Sequence, residues 1–197
     1  MEMIEGVGRR LGDKDGVLLS IGSASLNGRE QNVLFRNDGD GRFTDVAYVN
    51  EAARIEDGRG LAVFDYDEDG RLDLALRNFK MPAVVLHNTG GAASSVGQPA
   101  ANWVRFDLEG THSNRDAVGA VVRIRAGEHA QMRFVTAGSG YLSGHSKRLH
   151  FGLGHAERID SVEIEWPSGD RTQLEDLDAN RAYHLVEGPT GHALAAP

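Results

Sequence analysis

Apolar and polar residues alternate through most of the chain, and this period of two limits the folds open to it. Leu72, Leu74 and Leu76, for example, alternate with charged or small residues. Because successive side chains of a strand point to opposite faces of a sheet, the pattern predicts β-strands. The same alternation recurs at residues 104–108, 122–125 and 162–167. The sequence therefore predicts an all-β protein, with short helices only around Val46–Ala53 and Glu175–Asn180.

Turn sequences rich in Asp, Asn and Gly separate these runs. Glycine accounts for 25 of the 197 residues, about twice its usual share, and glycine supplies the positive φ that tight turns need. The character of the chain changes at a Gly-, Ala- and Ser-containing segment. We predict four parts: a β-repeat region at 1–90, a linker at 91–101, a β-sandwich-like domain at 102–188 and a C-terminal tail at 189–197.

The first part contains an internal repeat. Residues 12–16 are similar to 67–70, and residues 34–37 are similar to 86–88, with offsets of 54 and 51 residues. This spacing is close to the ~50-residue unit of some β-propeller blades. Fewer than two units are present, so we predict partial, propeller-like blades that another domain, another copy or further residues must cap.

The strongest chemical motif is an acidic loop. Asp65, Asp67, Asp69 and Asp73 occupy its positions one, three, five and nine, and Gly70 provides a sharp turn at position six. Such a loop wraps a hard cation, usually with a main-chain carbonyl at position seven, here that of Arg71. Calcium is the expected ion, since the loop has neither His nor Cys. Leu76 stands where an EF-hand has Glu, and the flanks are strand-like, so the loop belongs to a β-hairpin or blade.

The alternative is a solvated acidic turn without an ion. Four aspartates within nine residues would then repel one another, and the only cation nearby in sequence, Arg71, is expected on the face opposite the leucines. We therefore favour calcium. Two weaker echoes of the motif, Asp13/Asp15 and Asn37/Asp38/Asp40, lack the acid in register at position nine and are predicted to be plain turns.

Charge and composition exclude several classes of function. The formal net charge is −8, which disfavours nucleic acid as a partner. The chain has no cysteine, which excludes disulfides and thiolate sites. No apolar run is long enough for a membrane span, and the first residues lack the features of an export signal. On this basis we expect a cytoplasmic protein if the chain is complete; the family resemblance described next implies an extracellular one if the chain is a fragment of a typical family member.

Two stretches resemble known domains. The text NVLFRNDGDGRFTDVA at 32–47 and DGRGLAVFDYDEDGRLDLALRN at 57–78 resembles the FG-GAP (VCBS-type) calcium-loop repeat. Residues 102–187 resemble the ASPIC/UnbV domain of cartilage-acidic-protein-like chains, through the motifs at 113–116, 138–143, 150–154 and 166–169. The resemblance implies calcium binding by Asp65, Asp67, Asp69 and Asp73. It implies no set of catalytic residues.

Weaker candidates exist for catalysis. His145 or His150 would act as a general base, assisted by Asp116 and Arg115, with Tyr141 in the neighbouring loop. The simpler interpretation makes His150 a strand residue that bonds to backbone, His145 a loop residue, and Arg115 and Asp116 members of an ion pair between strands. Trp103 and Trp166 are expected to be core aromatics.

Three hypotheses for function follow. The first is a calcium-stabilised β protein that serves as a binding or interaction module for an unknown protein or small molecule. The second is a calcium-dependent enzyme, a cyclase, isomerase or hydrolase, acting on a small metabolite in natural-product biosynthesis. The third is a homo-oligomeric scaffold in which incomplete blades from several copies pair their exposed strand edges.

Overall fold

The computed structural model describes residues 30–90, 101–188 and 193–195. The prediction of an all-β protein is confirmed: the described residues form thirteen strands and no helix, and none of the sheets closes into a barrel. Two compact units are distinguished. One holds the described residues up to 59 together with 77–82, and the other holds 60–76 and the described residues from 83 onward.

The first strands form two small sheets. Strands β1 (Phe35–Asn37) and β2 (Phe43–Asp45) make an antiparallel hairpin. Strands β3 (Gly58–Phe64), β4 (Asp73–Asn78) and β5 (Val84–Leu86) form a three-stranded sheet in that order, with β3 at one edge. The acidic loop connects β3 to β4, so strands flank it on both sides, as predicted.

The remaining strands form two four-stranded sheets. In chain order they are β6 (Asn102–Glu109), β7 (Val121–Ala126), β8 (His129–Phe134), β9 (Leu149–Gly154), β10 (Arg158–Glu165), β11 (Arg171–Asp178), β12 (Arg181–Val186) and β13 (Ala193–Ala195). One sheet has the order β11-β10-β7-β8 and the other β13-β12-β6-β9. All neighbours are antiparallel except β12 and β6, which run parallel.

The inward faces of these two sheets share one apolar core. The alternation of apolar and polar residues in the sequence correctly identified the inward-facing residues. Val104, Phe106 and Leu108 of β6 are buried, as are Val122 and Ile124 of β7 and Val162 and Ile164 of β10. The Phe106 ring meets that of Phe151 edge to face at 5.8 Å, a geometry that aromatic quadrupoles favour. Burying alternate residues of both sheets produces the β-sandwich-like domain that the sequence predicts.

Neither predicted helix is present. Residues 47–51 form hydrogen-bonded turns, in which Asn50 N–H donates to the Val46 carbonyl at 3.2 Å without a continuing ladder. Residues 175–178 belong to β11 and pair with β10. Pairing with β10 decides the structure here: Asp176 has a positive φ of 59°, and the strand still continues beyond it to Asp178.

Other predictions have mixed outcomes. The Asn37/Asp38/Asp40 echo is a plain turn at the β1–β2 hairpin, where the Asp38 carboxylate accepts hydrogen bonds from Thr44 and Arg36. These hydrogen bonds lower the pKa of Asp38, and the bond from Thr44 has the larger effect. The Asp13/Asp15 echo, residues 12–16 of the repeat and most of the linker lie outside the described residues. The four domain boundaries stay predictions.

Candidate functional site

The backbone of the acidic loop is curled by two residues with positive φ. These are Glu68 at 61° and Gly70 at 85°. The curl turns main-chain N–H groups inward, and the Asp65 carboxylate accepts hydrogen bonds from Asp69 N at 3.1 Å and Gly70 N at 2.9 Å. The loop is therefore closed on the side chain of its first residue, which holds that carboxylate in place.

Asp73 closes the other end of the loop. It is the first residue of β4 and only 1% of it is exposed. One carboxylate oxygen accepts from Tyr66 N at 3.0 Å and the other from Asn88 N at 2.7 Å. A buried carboxylate needs such partners because burial without them is costly. Asp73, at position nine of the loop, is thus held rigidly in the site. It is buried although the alternation of apolar and polar residues in β4 assigns it to the polar face.

The loop brings acidic side chains within reach of one ion. Asp65, Asp67 and Asp73 each offer a carboxylate oxygen, and these atoms lie within 4.8 Å of one another. The donor set of this cluster consists only of oxygen, which suits a hard cation such as calcium. Three of the four predicted aspartates therefore fit the predicted ion. The fourth, Asp69, does not belong to this group; its carboxylate pairs with the guanidinium of Arg71.

A histidine that was not among the predicted site residues lies next to the acidic loop. His87 follows β5, and its Nε2 lies 3.0 Å from an oxygen of Asp67 and 3.9 Å from one of Asp69. Asp67, Asp69 and His87 form a second group whose donor atoms lie within 4.8 Å of one another. The only signal in the sequence was the repeat that aligned residues 86–88 with 34–37. Pairing of β5 with β4 brings His87 back to the loop.

Two arginines also approach the aspartates. The side chain of Arg71 is turned toward the loop rather than away from it, because its guanidinium pairs with Asp69; its Nε also donates to the Asn88 carbonyl at 2.7 Å. Arg105 comes from β6, and its guanidinium lies 3.9 Å from Asp65 and 3.3 Å from Glu68. The two guanidiniums offset part of the negative charge but leave the oxygens of Asp67 and Asp73 to other partners. The carbonyl of Arg71 as a seventh-position ligand stays a prediction.

A cavity of about 330 Å³ lies beside the loop in the same unit. His145 and His150 both line it, together with Arg105 and Arg148. His145 Nδ1 accepts a hydrogen bond from Val63 N at 3.2 Å. The His150 ring stacks on Trp103 at 5.9 Å, and its buried Nδ1 has no hydrogen-bond partner among the described residues. Burial lowers the pKa of His150, so its ring is neutral near pH 7.

The other catalytic candidates lie elsewhere. Asp116 pairs with Lys147, and that hydrogen bond lowers the pKa of Asp116. Arg115 lies 3.9 Å from Glu109 and does not pair with Asp116. Tyr141 is 67% exposed, and none of the three lines the cavity. The Asp116–Lys147 pair joins the two polar loops of the catalytic hypothesis, but the cavity itself is lined by His145 and His150 without these three residues.

A buried carboxylate organises the loop that carries residues 113–116. Glu187 accepts hydrogen bonds from the N–H groups of Thr111, His112 and Ser113 at 2.7–2.8 Å, and from the hydroxyls of Ser113 and Ser168 at 2.6–2.7 Å. Burial acts to raise the pKa of Glu187, but these bonds outweigh it and lower the pKa to about 2. Sequence reasoning missed this residue because its partners lie about 75 positions away. The arrangement is structural.

Comparison with known proteins finds two matching families along the chain. Residues 12–76 match the FG-GAP-like repeat, and residues 110–191 match the family described as ASPIC and UnbV. Cartilage acidic protein 1 of Mus musculus is 36% identical over 116 residues, which cover 57% of this chain and 17% of the relative. The protein of the same name from Xenopus tropicalis is 37% identical over 119 residues, with the same two shares. The chain thus spans about a sixth of the length of these relatives.

Among the described residues, no helix is long and apolar enough to cross a membrane. The two matched segments together cover the acidic loop and most of the sandwich, in the order in which the sequence resemblance placed them. The chain therefore carries a segment that matches the FG-GAP-like repeat, followed by a segment that matches the ASPIC and UnbV family, and over 57% of its length it is similar to cartilage acidic protein 1.

Proposed function

We propose that the protein is a calcium-binding β-rich interaction module, with Asp65, Asp67 and Asp73 as the side chains that hold the ion. One observation carries this proposal: the three carboxylates offer oxygens within 4.8 Å of one another. Asp69 and the carbonyl of Arg71 complete the proposed set. An ion would have to draw Asp69 away from the Arg71 guanidinium with which it pairs.

Electrostatics favours a cation at this position. Like charges a few ångströms apart repel, and the repulsion is strongest where one of them, here Asp73, is buried. The main-chain hydrogen bonds to Asp65 and Asp73 hold the oxygens in position before an ion arrives. Less ordering is then needed on binding, which raises affinity. Calcium tolerates the irregular geometry of such a loop better than magnesium does.

The ion would stabilise the contact between the acidic loop and the sandwich. Gly70 of the loop lies against the Trp103 ring, and Glu68 is paired with Arg105 and Arg148. All five residues belong to one compact unit. A loop that is fixed by calcium would present this surface in a single conformation, which is what a binding module requires. The partner, whether a protein or a small molecule, is not identified by this surface alone.

The extracellular alternative is the one that we propose for location. The matched relatives bear the name cartilage acidic protein 1, and acidic composition is shared by this chain, whose formal net charge is −8. Calcium modules of extracellular proteins bind with dissociation constants of about 10⁻⁴–10⁻³ M. A loop with three convergent carboxylates suits that range.

Isothermal titration with calcium chloride tests the proposal. The parental protein should bind one calcium ion at the loop, and Asp67→Asn should weaken binding at least about tenfold because a coordinating charge is lost. Asp40→Asn is the matched control, since Asp40 lies in the other acidic turn, where it accepts from Arg42 N and pairs with the exposed Arg42 guanidinium at 3.6 Å. Binding that is equal in Asp67→Asn and the parental protein would contradict the assignment.

A further inference from the structure

The cavity beside the acidic loop has the properties of a binding site for a carboxylate. Its volume is about 330 Å³, within the range of small-molecule sites. Two arginines, two histidines and two apolar side chains lie among its lining residues: Arg105, Arg148, His145, His150, Phe64 and Leu72. All belong to one compact unit. Neither the ion site nor the apolar core accounts for this combination.

Arg105 is the central group of this cavity. Its side chain is only 9% exposed, yet among the described residues its one hydrogen bond is to Glu68 at 3.3 Å. Charge-assisted hydrogen bonds of guanidinium are typically about 2.7–2.9 Å long, and the group carries five N–H donors. Most of these donors therefore have no hydrogen-bond partner among the described residues, although Asp65 and Glu68 offset the charge of this nearly buried group.

The structure itself contains a carboxylate at the two arginines. Glu68 Oε1 lies 3.3 Å from Arg105 and 3.5 Å from Arg148. Glu68 is exposed, it does not line the cavity, and both distances are long for paired charges. The Arg105–Glu68 contact is thus a loose one, made from outside the cavity. A carboxylate that enters the cavity would approach the same two guanidiniums more closely.

The other polar groups at the cavity agree with this chemistry. His145 Nδ1 accepts from Val63 N, so its proton lies on Nε2, which is then a donor. His150 has a buried Nδ1 without a partner among the described residues. Two acids also face the arginines, Asp65 at 3.9 Å from Arg105 and Asp107 at 3.9 Å from Arg148. These two acids balance the formal charge of the two arginines, which favours a singly charged group over a phosphate.

We propose that Arg105 and Arg148 form a carboxylate-binding site in this cavity, and that Glu68 of the acidic loop competes with the ligand for the two guanidiniums. The ligand is either a small free carboxylate or a Glu or Asp side chain of a partner, since both present the same group. The inference goes beyond the proposed calcium site and does not depend on a bound ion.

NMR titration of the ¹⁵N-labelled protein in excess chelator tests the proposal. Sodium succinate represents a free carboxylate, and the capped peptide acetyl-Gly-Glu-Gly-amide represents a partner side chain. Saturable shifts of the His145, His150 and arginine side-chain signals are expected with at least one probe. The probe with the lower dissociation constant identifies the source of the carboxylate. Absence of saturable shifts with both probes, in the parental protein and in Glu68→Gln, would overturn the site.

Variants of the ion pairs provide the decisive comparison. Glu68→Gln removes the competing charge and should lower the dissociation constant of the better probe about fivefold or more. Arg105→Gln and Arg148→Gln should each raise it about tenfold; Arg148 is half exposed, so its variant keeps the test valid if Arg105→Gln does not fold. Glu165→Gln is the matched control, because Glu165 pairs with Arg123 at the same 3.3 Å but away from the cavity. An equal gain of binding in Glu165→Gln, or unchanged binding in Arg148→Gln, would contradict the proposal.

Discussion

Gly70 of the acidic loop lies directly against the indole ring of Trp103. A Cβ atom built on Gly70 would lie 1.9 Å from Trp103 Nε1, far inside van der Waals contact. The same glycine has a φ of +85°, and Trp103 in turn stacks on His150. The glycine that the motif requires for its turn is therefore also required by the packing of the loop on strand β6.

Substitution of Gly70 by alanine should destabilise the protein more than its backbone conformation alone explains. Positive φ costs an L-residue about 1 kcal/mol, and displacement of a packed ring adds about 1–3 kcal/mol. Gly169→Ala is the matched control, since Gly169 has a φ of +94° and open space around its Cα. Urea denaturation should give a clearly larger loss of unfolding free energy for Gly70→Ala. Equal losses of unfolding free energy in the two variants would mean that the Trp103 contact does not contribute to the effect.

Thr172 should be sensitive to loss of its hydroxyl. Its Oγ1 accepts from the Trp166 indole N–H at 2.9 Å and donates to the Gly188 carbonyl at 2.8 Å, and the residue is fully buried. Thr172→Val keeps the shape but leaves two polar groups unpaired, which should cost about 2–4 kcal/mol. Thr172→Ser keeps the hydroxyl and should lose less unfolding free energy than Thr172→Val. Thermal denaturation of both variants measures the difference. A valine variant as stable as the serine variant would refute this reasoning.

Glu187 should make stability depend on acid. Its pKa is about 2 in the folded protein against 4.5 as the ordinary value, so the unfolded state binds the proton more readily. The contribution of Glu187 is complete above pH 4.5 and is lost as the pH falls toward 2. Glu187→Gln should lower the unfolding free energy at pH 7 by about 2–4 kcal/mol and flatten this part of the pH profile.

Denaturation at several pH values between 2 and 7 measures this effect. Glu128→Gln is the control, because Glu128 lies exposed in the turn between β7 and β8. Its variant should keep both the stability and the acid dependence of the parental protein. An unchanged acid profile in Glu187→Gln would assign the dependence to other carboxylates.

The sequence predicted those features that depend on short spacings. Alternation located the strands of the sandwich, and the spacing of Asp65, Asp67 and Asp73 predicted that their carboxylates converge. These predictions succeeded because a period of two and a nine-residue loop are local properties. The helix at 175–180 failed because strand pairing with β10 overrode the local pattern around Asp176.

What the sequence did not reveal depends on contacts between distant residues. His87 reaches Asp67 through the pairing of β5 with β4, and Arg105 reaches Asp65 from β6, 40 positions later in the chain. Glu187 likewise fills a loop about 75 residues before it. Nothing in the local composition marks such residues, because their roles arise only when the sheets assemble. The catalytic set stays a prediction, because the sequence does not state which of its side chains share a cavity; His145 and His150 line one that Asp116, Arg115 and Tyr141 do not.

Thermal melting with calcium and with excess chelator tests the central claim most directly. At about one hundred times the dissociation constant, calcium should add ~2.7 kcal/mol of stability, which corresponds to a rise in Tm of roughly 5–10 °C for a chain of this size. Asp73→Asn should abolish the rise and Asp40→Asn should retain it. A parental Tm that is the same in calcium and in chelator would contradict the account.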